Sequence, residues 1–70
     1  MDVRVECRSE SSYAGRPIAV HWQDQRLEVL EVLASWREPG RIYYRVRLEP
    51  EQIFELAYDE DNDNWQAKEL

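Results

Sequence analysis

Hydrophobic and polar side chains alternate with a period of two along most of this chain. Val3, Val5 and Cys7 alternate with Asp2, Arg4, Glu6 and Arg8, which predicts a strand with one buried face. The polar segment Ser9–Gly15 reads as a loop, and Pro17 suits only the start or edge of the strand that follows. In that second strand Ile18, Val20 and Trp22 form the apolar parity, with a turn predicted at Asp24–Gln25. Residues 27 to 36 are mixed. Val29, Val32, Leu33 and Trp36 fall at helical spacing, so a helix is open here; a long strand with a bulge near Leu30 is the preferred reading, because a bulge flips parity and bends a strand across a small core. Pro39–Gly40 is the strongest turn signal in the chain. Beyond it Ile42, Tyr44, Val46 and Leu48 alternate with Tyr43, Arg45, Arg47 and Glu49, Pro50–Glu51 turns the chain, and Phe54, Leu56 and Tyr58 form another apolar face. An acidic loop follows at 59–64, and Trp65 opens a last short strand toward Leu70. The expectation is an all-β fold: a single small β domain over residues 1–70, an antiparallel meander of five to six strands in a curled sheet or partly open SH3-like barrel.

At 70 residues the chain has room for one small domain with a thin core, because only about 60% of the unfolded surface can be buried at this size. The net charge of −6 disfavours general electrostatic binding to nucleic acid or to an anionic membrane. No apolar run approaches a membrane span, and Met1–Arg4 leads into no signal-peptide core. A single cysteine, Cys7, fits a reducing cytoplasm.

Catalytic chemistry finds no constellation here. His21 has the outward parity of its strand with no acidic or nucleophilic neighbour in sequence, and Cys7 faces inward as a small core residue. The expectation is a non-enzyme with no cofactor. One cysteine and one histidine cannot close a zinc site. Asp59, Asp61 and Asp63 copy the opening of a calcium loop, but Asn64 stands where glycine belongs and Leu70 where a bidentate glutamate is required. The segment reads as a solvated acidic turn, so no metal is expected.

Charge is uneven. Residues 1–48 hold eight arginines and seven acids, whereas 49–70 hold eight acids and Lys68 alone. Tyr43, Arg45 and Arg47 line the outward parity of one strand, with Arg37 and Arg41 flanking the turn before it. These five residues are the candidate binding face. The structural alternative is cross-strand pairing with Glu28, Glu31 or Glu55. Trp22, Trp36 and Trp65 are expected to supply bulk to the thin core, Trp22 and Trp36 by their parity.

Arg16–Pro17, Val20–His21–Trp22, Val32–Leu33 with Trp36–Arg37–Glu38, Tyr44–Arg45–Val46, Phe54–Glu55–Leu56 with Tyr58 and Asp59, and finally Trp65 follow one another in a recognisable order. The order resembles a small bacterial family of unknown function that carries R-P-x-x-F-x-W, V-L-x-x-W-R-E, Y-x-R-V and V-Y-E-L-x-x-D. The resemblance covers roughly residues 16–66. It implies a short stand-alone protein, some relatives of which are linked to genes of damage-tolerance DNA polymerases, and it brings no catalytic residues. Asp24 departs from the family's usual glycine in the first turn, and the fourth turn is shorter.

Two functions are therefore expected in order. The first is a protein-interaction or accessory module that docks on a partner, or on its own copy, through an unpaired sheet edge. The second is a nucleic-acid accessory domain using the arginine face as single-strand binders use a sheet surface.

Overall fold

The computed structural model describes residues 2–8 and 16–70; the expected loop at Ser9–Gly15 lies outside the described residues. Six antiparallel strands follow in chain order: β1 (Asp2–Arg8), β2 (Arg16–Trp22), β3 (Gln25–Glu38), β4 (Arg41–Leu48), β5 (Gln52–Asp59) and β6 (Asn64–Glu69). Each strand pairs with the next, and β1 also pairs with β6 through Asp2↔Gln66 and Val3↔Trp65, which closes the barrel. The described residues contain no helix. Residues 27–36 are strand throughout, so the helical option is excluded.

The inward parity builds the core. Val20, Val46, Leu48, Phe54 and Leu56 are fully buried, with Leu27 and Trp65 nearly so, and Val3, Val5, Cys7, Trp22 and Tyr44 pack against them. Trp22 meets Phe54 edge-on at 5.0 Å between ring centres, and Trp65 lies between Tyr44 and Tyr58 at 5.9 and 5.0 Å. Such tilted geometries suit the positive edge of one ring against the negative face of another.

Bulges decide which residues leave the core. In β2 the register steps from Cys7↔Pro17 to Glu6↔Ala19, leaving Ile18 as the extra residue. Ile18 is 40% exposed instead of buried as its parity predicts, and Pro17 takes the interior position. β3 carries the bulge expected at Leu30, between Val29 and Glu31, and a second at Leu33, between Val32 and Ala34. Each bulge flips the parity. The first keeps Val32 inward opposite Val46; the second turns Trp36 outward opposite Tyr43. Trp36 is therefore not a core residue, contrary to the alternation read from the sequence.

The first hairpin also shifts by one residue. Trp22 pairs with Gln25, so the turn is Gln23–Asp24, with φ of 50° and 64°. Two positive φ values define the type I′ turn that matches strand twist. At the opposite end Gly40, at φ 80°, follows Pro39 in the β3–β4 turn, a conformation that L side chains resist. The Glu60 N–H donates to the Gly40 carbonyl at 2.9 Å, which docks the β3–β4 turn on the β5–β6 turn.

β3 serves two sheets. Gln25–Glu28 pair with β2, and Val29–Glu38 pair with β4. The Glu49 N–H donates to the Glu28 carbonyl at 3.2 Å where β3 passes from one to the other. The terminal edges of an open meander, where docking by strand addition was expected, are consumed by the β1–β6 seam.

Candidate interaction face

The outward residues of β3–β6 stand in rows across the sheet, because antiparallel partners share a face. One row is Trp36–Tyr43–Ala57–Gln66, with no charged group. The next is Ala34–Arg45–Glu55–Lys68, and beyond it Glu31–Arg47–Ile53. On the other side runs Glu38–Arg41–Asp59–Asn64. The uncharged row is thus a band between charged rows.

Its aromatic end is organised by stacking. Trp36 and Tyr43 lie nearly parallel, 9° apart with centres at 5.3 Å, and the Arg45 guanidinium carbon sits 5.6 Å from the centre of the Trp36 ring. Arg45 also donates to Glu55 at 3.3 Å, and Arg47 to Glu31 at 3.3 Å. Both are cross-strand pairs of the kind anticipated for Glu31 and Glu55. Alongside, the bulge residues Leu30 and Leu33 are 45% and 43% exposed.

Of the five residues read from the sequence, Arg41, Tyr43, Arg45 and Arg47 share this face. Arg37 does not. It pairs with Ile42 on the opposite parity and reaches Glu60 of the β5–β6 turn at 3.6 Å. Arg41 is held above the ordinary arginine range by hydrogen bonding to Tyr43, with Asp59 and Glu38 adding to it. Sequence reasoning missed Leu30, Leu33 and Trp36 because two bulges, not one, set their direction. It missed Ala57, Gln66 and Lys68 because only strand pairing brings them beside Tyr43 and Arg45.

The chain's one histidine lies on the other sheet. Glu6 accepts from His21 Nε2 at 2.7 Å, and from Arg26 through Nε at 2.8 Å and Nη2 at 3.2 Å. So His21 does have an acidic partner, supplied across strands. The Arg26 hydrogen bonds, then that of His21, pull the Glu6 carboxyl down to about 2. This trio is a charge lattice: Cys7 beside it packs on the core, and burial pushes its thiol up, away from the reactive thiolate.

The acidic turn is tied to itself. Asp59 accepts from the N–H groups of Asp61 and Asn62 at 3.0 and 3.2 Å and from the Asn62 side-chain amide at 2.9 Å. These hydrogen bonds, the Asn62 side chain first, lower the Asp59 carboxyl. Tyr58 donates to Asp63, and that carboxylate raises the phenol to about 12. Among the described residues no group of three or more His, Cys, Asp or Glu is placed to hold a metal ion. No helix among them is long and apolar enough to cross a membrane. No family model, curated protein or solved structure matches this chain.

Proposed function

We propose that this protein is a non-catalytic, cytoplasmic protein-interaction module that docks a partner on the outer face of β3 and β4. One observation carries the reading: Leu30, Leu33 and the Trp36–Tyr43 stack put several bulky apolar groups on the outside of β3 and β4, whereas the other large exposed apolar residues, Ile18 on β2 and Leu70 after β6, lie on other elements. Exposed apolar surface rimmed by charge marks interaction sites, and tryptophan, tyrosine and arginine are the side chains that carry most binding energy in interfaces. The resemblance stated above extends the proposal: it would place the partner among proteins that act beside damage-tolerance polymerases.

Nucleic-acid binding is the second reading, favoured by the stacked Trp36–Tyr43 pair with Arg45 over it, which resembles a base-stacking platform. It ranks lower because Arg45 and Arg47 are already neutralised by Glu55 and Glu31, on a chain of net charge −6.

Affinity capture from the native host, quantified by mass spectrometry, separates these. A protein recovered with the wild type should fall by about tenfold or more with Leu33→Ser/Trp36→Ser, the loss of about 1.4 kcal/mol of binding, and persist with Arg26→Gln on the other sheet. Labelled single-stranded DNA should not bind even at low salt. An unchanged protein set with the first variant contradicts the proposal, as does low-salt DNA binding abolished by Arg45→Glu/Arg47→Glu.

A further inference from the structure

The band between the charged rows is not flat. Over Ala57 it sinks into an open depression of about 230 Å³ lined by Arg41, Tyr43, Glu55, Gln66 and Lys68. The small side chain of Ala57 creates it, since Tyr43 on β4 and Gln66 on β6 flank Ala57 in register and stand above it. The space is several times the roughly 30 Å³ share of one water molecule, enough for a short polar side chain with its stem.

The charges around it are unequal in a telling way. The outer face of β4–β6 presents four cations: Arg41, Arg45, Arg47 and Lys68. Arg45 and Arg47 hold carboxylates of the chain itself. Among the described residues neither Arg41 nor Lys68 holds a carboxylate at ion-pair distance, although Arg41 is hydrogen-bonded to Tyr43 and feels Asp59 and Glu38 in its own row, and both cations line the depression. Glu55, in register with Lys68, is drawn instead to Arg45. Two cations thus converge on one small hollow with the Tyr43 ring between an apolar floor and the stacked Trp36.

We infer that this depression receives the carboxylate side chain of an aspartate or glutamate from an extended segment of the partner protein. The inference rests on the interaction reading above and names what the partner must present. A carboxylate there accepts from Arg41 and Lys68 together, because an ionised acceptor between two ionised donors makes the stronger, shorter class of hydrogen bond. Gln66 offers both a donor and an acceptor, as a neighbouring peptide group needs. An apolar residue beside the acid lies on the Trp36–Tyr43 plateau. A nucleic-acid strand fits less well, since it brings a run of phosphates past Glu55 in the hollow and Glu38 and Asp59 in the row of Arg41, whereas a peptide brings one acid.

Selection from a phage-displayed library of random peptides, with the whole protein as bait, tests both levels. Selected peptides should carry an acid next to an apolar residue. Their binding should weaken by about tenfold or more with Arg41→Gln/Lys68→Gln, or with Ala57→Leu, which fills the hollow, and also when the acid is replaced by its amide. Thermal melts confirm that each variant is folded. Peptides that lose binding with Leu33→Ser/Trp36→Ser but show no acid, or ignore the two depression variants, overturn this inference and leave the interaction reading standing. A library that yields no peptide sensitive to either set of variants overturns both.

Discussion

Trp22 and Trp36 occupy the same chemical class and opposite sides of the sheet. Trp22 is partly buried and packs edge-on against the fully buried Phe54, so Trp22→Ala should cost about 3 kcal/mol, the low end for a core aromatic, read as the shift in the urea midpoint. The turn behind it holds Gln23 and Asp24 at positive φ, where an L side chain loses about 1–2 kcal/mol. Asp24→Gly should therefore raise the melting temperature; an unchanged or lowered value would show that the turn is not strained. Glu6 offers a pH test. Its folded value of about 2 lies below its ordinary 4.5, so its contribution is complete above about pH 4.5 and drains as the pH falls toward 2. Glu6→Gln should flatten the loss of stability across that window. Salt should shrink the difference, because the group is exposed and screened.

At the level of elements, β3 is where sequence and structure part. Alternation locates five of the six strands, because each buries one face and exposes the other; over residues 27–36 the period is mixed and leaves a helix open. The Leu30 bulge is legible as a change of parity between Val29 and Val32. The one at Leu33 is not, because Leu33, Ala34 and Trp36 are all apolar enough for either face, and no polar residue marks the flip. The same ambiguity hid Ile18. The first turn was misplaced by one residue because Gln23 carries no turn signal, although it is the residue at φ 50°. Local chemistry does hold the β5–β6 turn. Tyr58 is raised to about 12 by Asp63, so a spectrophotometric titration should show a tyrosine ionising near pH 12, and Asp63→Asn should bring that step down. The folded value exceeds the ordinary 10, so the stability it lends is whole below pH 10 and is lost as the pH rises toward 12.

For the whole molecule, closure and charge set what function is open. The β1–β6 seam joins only Asp2↔Gln66 and Val3↔Trp65 among the described residues, against eight register pairs between β4 and β5. Amides at the seam should exchange with solvent faster than those of Val46 and Leu56, since local opening follows the least paired elements. With the terminal edges joined, the proposed interaction surface is a face instead of an edge. Part of that face was readable: Tyr43, Arg45 and Arg47 follow from simple alternation, and Arg41 from its place after the turn. Its apolar half was not, because it depends on the bulges in β3, and the hollow over Ala57 depends on pairing across three strands.

The account turns on Leu30, Leu33 and Trp36 lying outside the core, where the proposed docking face needs them. Urea unfolding of the triple variant Leu30→Ser/Leu33→Ser/Trp36→Ser tests this most directly. The outward placement predicts a change of no more than about 2.5 kcal/mol, the scale of a lost aromatic stack together with two surface substitutions. A loss of several kcal/mol, the signature of emptied core positions, would place these side chains inside and contradict the interaction face.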